Sequence, residues 1–228
     1  MKLEFIEARD LSDAWYQCVN RILEIGKVYI IDRGSYQGQK RLEFDYITVH
    51  IKYPGTRPLL PDIPPQLGIP NPVKEGYLEE YLPYLMTANR QPGEDYTYGE
   101  RLAGFHIADD WYPNQIQSVI DMYKKDGYNT NQACMEVAMP SDINSPDSPC
   151  LRLIDTRISG NKLHFVVYFR SWDLWSGLPA NLGAIQLMKE YIAAEIGVED
   201  GEIIASSKGL HLYDYIWKLA KLRTYKKG

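Results

Sequence analysis

Between Asp10 and Ile25 the apolar residues Leu11, Trp15, Cys18, Val19, Ile22 and Ile25 recur at steps of three and four. This spacing predicts an amphipathic helix with Asp10 or Ser12 as its cap. The period then changes. VYIID, 28–32, is short and β-branched, and Leu42 to Tyr53 alternates apolar with polar residues, which predicts two strands joined through RGSYQGQKR. From Pro54 to Pro72 closely spaced prolines and glycines exclude regular structure and predict a long connection. A helix is expected within VKEGYLEEYLPYLM, limited or kinked by Pro83, and another over 113–127, with Pro113 in its first turn and Gly127 as its stop.

Further along, ACMEVAMP, CLRLIDTRI, NKLHFVVYF and GEIIAS read as strands, with Ser159-Gly160-Asn161 as a hairpin turn. Residues 182–197 are apolar nearly all round and predict a helix buried on more than one face. A final helix is expected over Leu210 to Leu222. Helices mixed with antiparallel hairpins, without regular βαβ repeats, predict an α+β fold. We expect one domain over 1–228 with a mixed, largely antiparallel β-sheet flanked by helices.

Composition narrows the class. With 45% hydrophobic residues the chain can build a substantial core. A net charge of −5 and pI near 5.4 argue against broad binding to nucleic acid or anionic membrane, so any anion site must be local. No run of 18 apolar residues exists and the N-terminus MKLEFIEARDLSD is acidic, so a cytoplasmic protein is expected. The three cysteines, Cys18, Cys134 and Cys150, have neither disulfide-framework nor zinc-site spacing, and no metal is expected. Eighteen tyrosines suit either an aromatic-lined cleft or a subunit interface.

Several residues could carry chemistry. Cys150 follows Pro149 at the exit of a polar loop, where it is either a small buried hydrophobe or a nucleophile whose thiolate a nearby arginine would favour. Cys18 and Cys134 read as core. Arg170 and Ser171 place a guanidinium fork beside a hydroxyl, a good anion site, and Arg33 is a second candidate for the same anion. Asp173 and Asn181 flank a Trp-Ser-Gly-Leu-Pro turn. Asn181 is either the N-cap of the buried helix or an amide that reads the edge of a heterocyclic base. His211 and Tyr213 would share a face if extended and would not on a helix.

Order and spacing make the set specific. Pro149-Cys150, Arg170-Ser171-Trp172-Asp173, Gly177-Leu178-Pro179-Ala180-Asn181 and His211-Leu212-Tyr213 together resemble the folate-dependent, cysteine-using thymidylate synthases. Tyr98-Gly99 resembles a further family pair. The resemblance covers roughly residues 95 to 215 well and the N-terminal part, through Arg33, more loosely. It implies reductive methylation of deoxyuridine monophosphate (dUMP) to thymidine monophosphate (dTMP). Cys150 would attack C6 of uracil. Arg170 and Ser171, helped by Arg33, would hold the 5′-phosphate. Asn181 would bind uracil O4 and N3, and His211 and Tyr213 the deoxyribose hydroxyl. Asp173 would face the pterin. The implied co-substrate is 5,10-methylenetetrahydrofolate or a tetrahydromethanopterin analogue, and a homodimer is implied by the family alone.

Departures from the family pattern are equally specific. The usual arginine pair before the nucleophile is replaced by the stretch NTNQAC, leaving Lys124, Lys125 or Arg152 as substitutes. The expected site glutamate falls on Glu79 or Glu80, and the chain beyond Tyr213 is shorter than usual, as in archaeal members. Two other readings are a dUMP or deoxycytidine monophosphate (dCMP) hydroxymethylase of the same superfamily and a catalytically degraded nucleotide-binding protein. Asparagine rather than aspartate at 181 favours a uracil nucleotide.

Overall fold

A computed structural model describes residues 1–32 and 36–226. Helix α1 (Leu11–Ile25) forms where the three-four spacing predicts it. The Asp10 carboxylate accepts the Asp13 N–H at 2.9 Å, and Leu11, Ala14, Trp15, Cys18, Val19 and Ile22 are buried along one stripe. The strands divide between two sheets. Six of them, β1 (Leu3–Ala8), β4 (Tyr46–Ile51), β5 (Cys134–Glu136), β6 (Leu151–Ser159), β7 (Lys162–Phe169) and β9 (Glu199–Ser207), assemble in the order β1-β4-β9-β7-β6-β5. The other four, β2 (Lys27–Ile30), β3 (Lys40–Glu43), β8 (Trp172–Asp173) and β10 (Leu210–Tyr213), lie in the order β2-β3-β10-β8. Parallel and antiparallel pairs occur in both sheets, and antiparallel pairs predominate.

The remaining helices are α2 (Tyr77–Met86), α3 (Tyr98–Ala103), α4 (Gln115–Asp126), α5 (Gly177–Ile196) and α6 (Trp217–Arg223). Helix α5 lies against β7 and β9 and is flanked by α1, α2 and α4, which explains its apolar circumference. The α+β class with mixed strand pairing and flanking helices is therefore observed. No described helix is long and apolar enough to cross a membrane.

Several boundaries depart from the sequence pattern. The expected final helix over Leu210–Leu222 is wrong in its first half: Leu210–Tyr213 is strand β10, a short 3-10 turn follows, and helix begins only at Trp217. The strand expected from Leu42 to Tyr53 is two strands in different sheets, broken at Phe44 and Asp45. Helix α4 begins after Asn114, whose side chain accepts the Gln117 N–H at 3.0 Å, so Pro113 lies outside it. Strand β1 and helix α3 had no counterpart among the predicted elements. In the expected hairpin, Gly160 and Asn161 both have positive φ, 57° and 60°, as a two-residue type I′ turn requires.

Candidate active site

That hairpin sets the geometry of the nucleophile. From Ser159 opposite Lys162, the β6–β7 ladder runs to Leu151 opposite Phe169, with one irregularity between Leu151 and Leu153. One step further, the Arg170 N–H donates to the Cys150 carbonyl at 2.8 Å. The guanidinium then turns back along the preceding loop. Its Nε donates to the Pro149 carbonyl at 3.1 Å, its Nη2 donates to the Ser148 carbonyl, and Nη2 stands 3.8 Å from Asp147 Oδ1. Cys150 itself is half-buried. Burial pushes its thiol above the ordinary value, whereas the charges of Arg170 and Arg152 pull it down. Two tyrosines close this side: Tyr98 OH accepts the Leu151 N–H at 3.3 Å, and burial together with the nearby Cys150 holds the Tyr96 and Tyr98 hydroxyls protonated.

After β7 the chain bends at Arg170-Ser171. Trp172 and Asp173 then pair in parallel with Leu210 and His211, so Ser171 sits beside Gly209. This short ladder unites motifs 38 residues apart in the sequence. The Asp173 carboxylate accepts three backbone N–H groups, from Trp175 at 3.1 Å, Ser176 at 3.0 Å and Gly177 at 2.9 Å. Asp173 thus satisfies the start of α5. Asn181 is not a cap, because it lies in the second turn of that helix. Its amide is instead held at both ends: Oδ1 accepts the Trp172 indole N–H at 3.0 Å, and Nδ2 donates to Tyr81 OH at 3.0 Å. Both Trp172 and Trp175 are buried, Trp172 stacked on Phe169 and Trp175 packed edge-on against Trp15.

Because β10 is extended, His211 and Tyr213 share a face. Leu210 and Leu212 point the other way into the core, on the side packed by α1. Cross-strand pairing builds a row Lys27, Glu43, His211, Asp173 and, beside it, Tyr29, Arg41, Tyr213. His211 Nδ1 lies 2.9 Å from the Gly209 carbonyl, an acceptor, so Nδ1 carries the hydrogen. Nε2 is left as a buried acceptor with no partner among the described residues, and burial lowers the pKa of the ring. Tyr213 stacks between Tyr36 and Tyr215 and is pushed up to about 12 by burial and neighbouring acids. Arg41 and Glu43, an ion pair at 2.6 Å, are site neighbours that the sequence reading missed. Their i, i+2 spacing is the available signal, obscured because Lys40 and Arg41 adjoin the glycine-containing turn between the strands.

Two cavities meet at Tyr81. One, of about 420 Å³, is lined by Lys74, Tyr77, Tyr81, Gly177, Ala180 and Asn181 among others. The second, of about 370 Å³, is lined by Tyr81, Tyr84, Glu94, Tyr96, Tyr98 and Asp147. Neither proposed glutamate lines either one: Glu79 borders a 610 Å³ cavity under the proline-rich connection, and Glu80 pairs with Lys74 at 3.0 Å. Of the three substitute cations, Arg152 reaches the Pro149 carbonyl and Asp142, whereas Lys124 pairs with Glu195. Arg33 lies outside the described residues.

Comparison with known proteins bears on the family. The thymidylate synthase family profile matches residues 84–226. The chain is 32% identical over 216 residues to a protein of Methanosarcina mazei named "Putative thymidylate synthase", covering 95% of this chain and 92% of that one. A protein of the same name from Methanothermobacter thermautotrophicus is 28% identical, with 95% and 96% covered. The thymidylate synthase of Fusobacterium nucleatum is 32% identical over 124 residues, 53% of this chain and 44% of that one.

Proposed function

Because the chain belongs to the thymidylate synthase family, we propose that it catalyses the reductive methylation of dUMP to dTMP through covalent attack of Cys150 on uracil C6. The observation that carries this reading is the closure of Arg170 on the loop immediately before Cys150. A thiolate is the nucleophile, and the larger of the two influences that oppose the effect of burial on the thiol is this guanidinium, ahead of Arg152. The Sγ–C6 bond takes the C5–C6 π pair toward C5 and O4, making C5 nucleophilic. Asn181 retains one hydrogen on Nδ2 for O4 and one lone pair on Oδ1 for the N3 hydrogen.

Other residues take supporting roles. Arg170 and Ser171, with Arg33, bind the 5′-phosphate. The unpartnered Nε2 of His211 accepts from a deoxyribose hydroxyl, with Tyr213 beside it. The 420 Å³ cavity into which Asn181 presents its amide has room for a reduced pterin ring beside the base, since the stacked rings of Tyr77 and Tyr81 form one wall and Lys74 offers a cation to an acidic tail. When bound, a methylene-tetrahydropterin, folate or methanopterin, supplies the one-carbon unit and the hydride. Asp173 orders the helix start that forms part of that cavity. Loss of the C5 proton, delivery of the hydride to the new exocyclic carbon and departure of the Cys150 thiolate from C6 then restore the C5–C6 double bond. A homodimer belongs to the same proposal, supported by Leu3, Phe5 and Val166, which stand exposed on the outward face of the six-stranded sheet.

The test is covalent trapping. The protein incubated with 5-fluoro-dUMP and either methylenetetrahydrofolate or methylene-tetrahydromethanopterin is expected to give a mass-spectrometric adduct at Cys150, absent in Cys150→Ala. No adduct with either pterin overturns the reading. Tritium release from C5 of dUMP, with identification of a methyl rather than hydroxymethyl product, separates the synthase from the hydroxymethylase.

A further inference from the structure

We propose that the Trp172 indole N–H decides which way round the Asn181 amide faces, and so sets the preference for a uracil over a cytosine edge. The inference rests on the proposed role of Asn181 as the base reader. An asparagine amide is nearly symmetric in shape, and rotating it by half a turn exchanges its donor and acceptor. Tyr81 tolerates both orientations, because a hydroxyl either accepts from Nδ2 or donates to Oδ1. Trp172 does not. Its indole nitrogen only donates, so only the orientation with Oδ1 toward it makes a bond; the other opposes two donors at 3.0 Å.

The brace is rigid. Trp172 is 3% exposed, its ring stacks on Phe169 at 4.0 Å and 3° between planes, and its backbone N–H donates to the Gly209 carbonyl at 3.0 Å. With these partners filled, Asn181 offers one Nδ2 hydrogen and one Oδ1 lone pair to the cavity it lines. Uracil presents the complement, an accepting O4 beside a donating N3. Cytosine presents the reverse, a donating N4 beside an accepting N3, and only the rotated amide would match it. Trp172 therefore acts as a positioning residue that need not touch the nucleotide.

Trp172→Phe retains the ring stack and deletes the N–H. Dissociation constants for dUMP and dCMP, measured by calorimetry on the whole protein, should show a wild-type preference for dUMP that falls about tenfold in Trp172→Phe, the scale of one neutral hydrogen bond. Tyr81→Phe should leave that ratio within about twofold, because the indole still dictates the orientation. A merely structural contribution would instead lower the melting temperature and weaken both nucleotides together. The inference is overturned if Trp172→Phe keeps the wild-type ratio or if Tyr81→Phe lowers it equally. Wild-type protein that binds neither nucleotide overturns the proposed function itself. Should Trp172→Phe not fold, nuclear Overhauser contacts in the wild type decide: the Asn181 amide hydrogens should lie closer to the Tyr81 ring than to the Trp172 indole hydrogen, and the opposite order refutes the brace.

Discussion

Arg170 is tied to Cys150 twice, by its backbone N–H on the Cys150 carbonyl and by a guanidinium folded over the two residues in front of it. Arginine at this position therefore acts on the thiol before any phosphate arrives. Removing the charge leaves burial and Asp147 unopposed except by Arg152, so the thiol pKa must rise further. Alkylation of Cys150 by iodoacetamide at pH 8 should slow about tenfold in Arg170→Ala and less in Arg170→Lys, which keeps charge without the fork. In the wild type the rate should still be climbing at pH 9. A plateau below pH 8 would contradict a burial-raised thiol.

Asp173 has a structural duty that precedes any contact with a pterin. Its Oδ2 accepts the Ser176 and Gly177 N–H groups at the start of the helix that carries Asn181. Losing such a cap costs about 1 to 2 kcal/mol. Asp173→Ala should therefore lower the urea midpoint as well as turnover, with Asp173→Asn intermediate in both. Unchanged stability in Asp173→Ala would assign the residue to the substrate alone.

Local signals carried through where one neighbour decides the conformation. The three-four stripe of α1 and the Gly160-Asn161 turn are such cases, and the turn, together with the register shift between Leu151 and Leu153, brings Arg170 to Cys150. Legibility failed where tertiary context overrides. In β1, Leu3 and Phe5 lie on the outer face and Ile6 and Ala8 on the inner one, so both faces carry apolar residues and no alternation appears. Leu210 to Tyr213 does alternate, but it runs straight into the apolar residues of α6 and was absorbed into that helix. The start of α5 was misplaced by five residues because Gly-Leu-Pro suggests a turn, although proline fits a first helical turn. The site residues were legible as a motif, whereas the partners of Asn181 were not: Tyr81 is a hundred residues away in sequence.

Gly99 marks a second place where the backbone determines the site. A Cβ there would collide with the carbonyls of Tyr84 and Thr87 at the end of α2. Only glycine lets α3 sit so close, and α3 begins with Tyr98, which holds the N–H next to Cys150. Gly99→Ala should cost about 2 to 3 kcal/mol in chemical denaturation, an overpacking effect against rigid backbone. Tyr98→Phe deletes only one hydrogen bond and should cost about 1 kcal/mol. Equal and small effects of the two would mean that the helices separate easily.

His211 gives the chain a dependence of stability on pH. Its ring is buried and its folded pKa lies below the ordinary value near 6.5, with burial and Arg41 opposing the charge while Gly209 and Asp173 favour it. Between the folded pKa and about 6.5 the unfolded chain binds more protons, so stability rises with pH through that window and is complete above it. Acidification from pH 7.5 to 5.5 should therefore erode the stability of the wild type. His211→Asn lacks this titration, while Glu43, raised by burial in the same row, titrates in both proteins. The difference in thermal midpoint between wild type and variant should be larger at pH 7.5 and narrow toward pH 5.5. A difference that widens on acidification would mean that His211 is charged in the folded protein, and would remove the neutral Nε2 acceptor assigned to the sugar.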